Sequence, residues 1–118
     1  MKNSLILISS FLLISCSYFK TGVDVEIINT TEKSIKNIKL YTSENKEVLT
    51  FEELKSGGKI SDFLKMKENK TDGHYILEFT NEKGEIKKTT AGYYSNGKFL
   101  DQKIIFEIGK DTIKLNKA

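Results

Sequence analysis

From residue 23 onward the chain alternates apolar and polar residues with period two, the signature of a half-buried β-strand. Val23, Val25 and Ile27 alternate with Asp24 and Glu26. Ile38 and Leu40 alternate with Asn37, Lys39 and Tyr41. Tyr75, Leu77 and Phe79 alternate with His74, Glu78 and Thr80. Ile104, Phe106 and Ile108 alternate with Lys103 and Glu107, and Ile113 and Leu115 with Thr112 and Lys114. Each run ends in turn chemistry: 29–32, 43–45, 56–58, 71–73, 81–84, 95–97 and 109–111. Asn96-Gly97 predicts a two-residue hairpin, because both central residues of a type I′ turn need positive φ. Asn81 to Gly84 suits a hairpin with glycine in the left-handed position. One stretch, 46–67, is less regular. Phe51-Glu52-Glu53-Leu54 fits a helical turn stopped by Gly57 and Gly58, and Ser61 to Met66 fits a short capped helix. A strand over 59–67 fits better, since Gly-Gly followed by Lys-Ile-Ser-Asp-Phe reads as turn then strand.

About seven short strands with no long amphipathic helix predict an all-β domain over 23–118. The expected form is a small antiparallel β-sandwich of immunoglobulin-like or related topology, with a small open barrel as the alternative. One-sided alternation suits antiparallel sheets that each have one dry face. The Cys…Trp…Cys pattern of true immunoglobulin domains is absent.

The first residues follow a different rule. Lys2 supplies a positive start, and Leu5 to Ile14 is apolar apart from Ser9 and Ser10. At roughly 15 Å as a helix, this run is too short for a hydrocarbon core of about 30 Å. It reads as an export leader. Leu13-Ile14-Ser15-Cys16, closing on the chain's only cysteine, resembles the lipobox of bacterial lipoproteins. The resemblance implies removal of residues 1–15 and a diacylglyceryl thioether on Cys16. A thiol suits that role as the strongest side-chain nucleophile near neutral pH. Residues 16–22 are then the lipidated cysteine and a short tether of about 20 Å at full extension. Asn29-Thr30, Ile35-Lys36-Asn37-Ile38-Lys39-Leu40 and Gly57-Gly58-Lys59 make the remaining domain similar to small β-sandwich lipoproteins of AT-rich bacteria. The lipobox resemblance implies a lipid-anchored, extracytoplasmic place in the cell envelope. By resemblance to proteobacterial sorting, Ser17 after the cysteine favours the outer membrane where the cell has one.

Composition excludes more than it selects. The formal charge of +3 falls by one when Lys2 leaves with the leader. Every basic residue is lysine, and there is no arginine, tryptophan or proline. This balance gives no reason to expect nucleic acid as a partner, although Lys87-Lys88 lies near Tyr93 and Tyr94. One histidine, His74, and no cysteine left free after lipidation predict no zinc or copper site and no cofactor. No nucleophile–base context surrounds His74, so no catalytic residues are assigned and the chain is not read as an enzyme.

The contact segment expected from sequence is 91–100, with Tyr93, Tyr94, Asn96 and Phe99 as candidate partner-binding residues. Adjacent tyrosines in a strand face opposite ways, so one is buried and the other exposed beside the hairpin. Exposed tyrosine offers large contact area at small entropic cost. Three functions follow in order. First is a non-catalytic binding or accessory module for a protein or glycan near the membrane. Second is an inhibitor or immunity-type lipoprotein blocking a hydrolase such as a lysozyme, with the hairpin as plug. Third is a small hydrolase working through paired carboxylates.

Overall fold

The computed structural model describes residues 21–117. The leader, the lipobox, Cys16 and the tether up to residue 20 lie outside the described residues. Among the described residues nine strands follow one another: β1 (Gly22–Asn29), β2 (Ile35–Thr42), β3 (Val48–Leu54), β4 (Lys59–Lys65), β5 (Gly73–Thr80), β6 (Ile86–Ser95), β7 (Lys98–Phe99), β8 (Lys103–Ile108) and β9 (Ile113–Lys117). They form two sheets, ordered β4-β1-β8-β9 and β3-β2-β5-β6-β7, so the chain is an all-β, two-sheet fold as the alternation predicts. The irregular stretch 46–67 holds two strands, β3 and β4, which belong to different sheets. The helical turn at Phe51–Leu54 is not formed, because Leu49, Phe51 and Leu54 align against Leu40, Ile38 and Ile35 of β2.

One expectation needs correction. The sheets are not wholly antiparallel: β1 runs parallel to β8, with Val25 beside Ile104 and Ile27 beside Phe106. Alternation records which face a residue occupies and not which way its strand runs. β6 delivers the chain to the end where β1 begins, and the two-residue β7 turns it there. β8 must therefore start where β1 starts.

The core lies between the sheets. Val23, Val25, Ile27, Leu64, Ile104, Phe106 and Ile108 come from one sheet, and Ile35, Ile38, Leu40, Tyr75, Leu77 and Tyr94 from the other; all are buried. Two bulges set the phase of this pattern. Asn37 has φ +52° and is skipped by both of β2's ladders. The extra residue lets Ile35 and Ile38, three apart, both face inward. Asparagine tolerates this left-handed conformation better than most side chains. Gly92, at φ +77°, does the same in β6, where Ala91 pairs with Tyr75 and Tyr94 with Gly73. A Cβ on Gly92 would also press on the Tyr75 ring at 2.8 Å. At the end remote from Gly22, the fully buried Asn29 side chain ties three segments together. Its Nδ2 donates to the carbonyls of Lys33 (2.8 Å) and Leu54 (3.0 Å), and its Oδ1 accepts from the Thr31 amide and hydroxyl.

Candidate functional site

Strand directions gather the start of β1, the β2–β3 turn, the 66–72 loop, the β6–β7 hairpin and the 100–102 turn at one end of the sandwich, called here the loop end. Thr21 is part of it, since the Met66 amide donates to its carbonyl at 3.0 Å. The opposite end holds the turns at 30–34, 55–58, 81–85 and 109–112.

Two carboxylates staple the loop end. Glu44, in the β2–β3 turn, accepts from the Thr71 hydroxyl (2.7 Å), the Thr71 amide (2.9 Å), the Lys70 amide (3.1 Å) and the Tyr94 hydroxyl (3.0 Å). Asp72 accepts from the Asn96 amide (2.9 Å), the Tyr93 hydroxyl (3.0 Å) and the Ser95 hydroxyl (3.3 Å). Hydrogen bonds that need the charged form favour it. The Thr71 hydroxyl, followed by the two amides and Tyr94, holds the Glu44 carboxyl down at about 2 against burial. The Asn96 amide, then the tyrosine and serine hydroxyls, lowers Asp72 as well. Beneath them Asn69 is 5% exposed, and its Oδ1 accepts from Thr42 (2.6 Å) and Tyr94 (3.3 Å). Its amide nitrogen has no partner among the described residues. The Tyr94 ring leans on Tyr75, centroids 5.7 Å apart, and burial raises the pKa of both phenols.

The four residues picked from sequence do not form one surface. Asn96 (φ +52°) and Gly97 (φ +74°) make the predicted hairpin, with Tyr94 paired to Phe99 and Ser95 to Lys98. Tyr94 is fully buried and offers no contact area. Phe99 packs partly buried against the core. Tyr93 stays 47% exposed with its hydroxyl held by Asp72, and Asn96 is exposed. Leu100, 61% exposed, joins them and was not singled out by sequence. The hairpin tip does not stand free: the Gly97 amide donates to the Thr71 carbonyl at 2.7 Å, and a Cβ on Gly97 would land on the Asn69 carbonyl. Nothing in the sequence links Glu44 or Asp72 to partners more than twenty residues away. Their turn contexts, Ser43-Glu44-Asn45 and Thr71-Asp72-Gly73, were the only available signal.

Elsewhere, a depression of about 430 Å³ along β1 and β4 is lined by Asp24, Val25, Glu26, Ser61, Asp62, Phe63 and Lys103. Lys103 (3.0 Å) and Lys59 (3.5 Å) both reach Glu26, and Lys103 chiefly keeps its carboxyl low. Among the described residues no three His, Cys, Asp or Glu side chains group to hold a metal ion. The loop end is thus a set of loops fixed to a rigid scaffold, an arrangement suited to presenting contact residues.

The staple carries a pH signature. A carboxyl whose folded pKa lies below its ordinary value contributes stability that is full above that value and is lost as pH falls through the folded one. For Glu44 the window runs from 4.5 down to about 2. Thermal unfolding temperature is expected to fall across this window. Glu44→Gln is expected to lower it at pH 7 and to flatten the decline, read by circular dichroism melts from pH 7 to pH 2. A variant curve as steep as the wild type's would remove Glu44 from this role.

No protein-family model matches the chain, and neither does any curated protein. Among solved structures the chain is similar to the NMR structure of a protein from Eubacterium rectale, with a TM-score of 0.54 at 18% identity, covering 84% of this chain and 90% of the other. At that identity the likeness is one of fold.

Proposed function

We propose that the protein is a lipid-anchored envelope module, held on the extracytoplasmic face of a membrane and working by binding a protein or glycan close to the bilayer. The leader and Leu13-Ile14-Ser15-Cys16 support the anchor. The observation that carries the geometry is the bond between Met66 and Thr21, which ties the chain's entrance to the loop end. With the lipid on Cys16, the loop end sits within about 20 Å of the bilayer. The opposite turns stand roughly 25 Å farther out, the length of an eight-residue strand. Tyr93 and Leu100 then lie on the membrane side, where aromatic and aliphatic side chains rest favourably at the interface. The sides of the sandwich and its far turns remain open to partners.

The inhibitor reading loses support from the same features. Its plug, the 93–100 hairpin, is on the tether side, with its tip bonded down onto the 69–72 segment. The carboxylate-hydrolase reading gains nothing from Glu44 and Asp72, whose oxygens are engaged by protein donors. Mass spectrometry of protein extracted from membranes tests the proposal. It should give a polypeptide starting at Cys16 with diacylglyceryl mass on that residue. An unmodified thiol would overturn it.

A further inference from the structure

Two sheets have four outer edges, and three are guarded. β4 carries Lys59 and Lys65, and its Asp62 stands opposite the inward Val25. In β9, Lys117 stands opposite the inward Ile104. In β6, Lys87 stands opposite the inward Phe79, Gly92 breaks the ladder, and β7 covers the last two residues. Lysines, inward charges and bulges are the usual means of blocking edge-to-edge pairing. β3 has no lysine and no inward charge, and its one irregularity is at Glu52, which the ladder to β2 skips opposite Asn37. Its sequence, VLTFEEL, is seven residues without lysine, glycine or proline, and it pairs with β2 alone. Among the described residues no hydrogen bond satisfies its outer edge before the Leu54 carbonyl, which takes Asn29. Leu49 and Phe51 are only partly covered, and Val48 is 44% exposed. Beside Phe51, a concavity of about 190 Å³ lies between β2 and β3, lined also by Asn37, Ile38, Lys39, Thr50 and Glu52.

The geometry points to β3 as a strand-addition site whose occupant is an extended, lysine- or arginine-bearing segment of a partner protein. Main-chain hydrogen bonds along the edge supply affinity, and alternate side chains supply selectivity. Charge selects the occupant. Glu52 and Glu53 are exposed and form no ion pair among the described residues, and Glu47 lies just before the strand. A second copy of the chain would bring a second set of these glutamates to the shared edge, where like charges are unfavourable. A basic strand instead neutralises them. This inference concerns the folded domain and holds whether or not Cys16 is lipidated.

The probe is an acetylated, amidated peptide of four Val-Lys repeats, titrated into the isotope-labelled full chain in detergent micelles. Amide shifts are expected to concentrate on Val48–Leu54. The double variant Glu52→Lys/Glu53→Lys, at two exposed positions, is expected to keep the wild-type spectrum elsewhere and weaken binding roughly tenfold, as loss and reversal of two surface pairs allow. Thr50→Lys, which adds a guarding lysine, is expected to weaken it too. Shifts at β4, β6 or β9, no binding at millimolar peptide, or equal binding by the charge-reversed variant would overturn the proposal. So would a dimer in sedimentation that the same variants dissolve, since the occupant would then be a second copy.

Discussion

Replacing Phe106 with alanine is expected to cost about 3–5 kcal/mol, the usual range for emptying a fully buried aromatic site. The ring is 0% exposed. It sits on β8 between Ile27 of β1 and Leu115 of β9, so neighbours on both sides hold the space open and the cavity cannot collapse. Domains of this size have only about 5–15 kcal/mol in total, so the variant should be partly unfolded at 37 °C. Ile105, one residue earlier, points away from the core and is half-buried. Its replacement by alanine is expected to cost about 1 kcal/mol or less, since most of its transfer free energy is not collected in the folded state. Urea denaturation with an unchanged m-value measures both. Equal losses would mean that the register of β8 is slipped by one, because a one-residue slip exchanges the faces of every side chain.

How much of this was legible beforehand follows from the physics of each feature. Period-two alternation reported the strands and the inward sets Val23-Val25-Ile27 and Ile104-Phe106-Ile108, because it is a direct imprint of burial. Asn96-Gly97 reported its hairpin because few dipeptides accept two positive φ angles. The parallel β1–β8 pair was hidden, since hydrogen-bond direction leaves no mark on side-chain polarity. The bulges at Asn37 and Gly92 were hidden in another way: each shifts the phase of a run, so Ile35 and Tyr94 appear out of step with neighbours they in fact join. The Glu44 and Asp72 staples were illegible for a third reason. They are acids in turns, which sequence reads as solvated, and only the fold brings the 70–72 amides and hydroxyls to them. Of the four candidate contact residues, Tyr93 and Asn96 are exposed, while Tyr94 and Phe99 pack inward, a division that the bulge at Gly92 hides from the sequence.

The second large effect concerns residence. On the anchoring proposed above, Cys16→Ser, placed behind an ordinary cleavable leader, is expected to move the protein from membranes to the soluble fraction. Serine cannot form the proposed thioether, and no acyl chain would then remain. At about 0.8 kcal/mol per buried CH₂, one chain gives only reversible adsorption, whereas two or more give stable residence. Tyr93 and Leu100 alone bury too little to replace them. Carbonate-washed membranes from cells making either form give the measurement. Retention of the variant would show that something other than the acyl group holds the protein.

The most direct test of the account is orientation. Leu100→Cys and Glu82→Cys variants, labelled with a fluorophore and reconstituted in vesicles containing a headgroup acceptor, report the height of each end above the bilayer. Both sites are exposed, and Glu82 lies in the 81–85 turn at the far end. Strong energy transfer is expected at position 100 and much weaker transfer at position 82, roughly 25 Å farther out. Equal transfer at the two positions, or the reverse order, would contradict it.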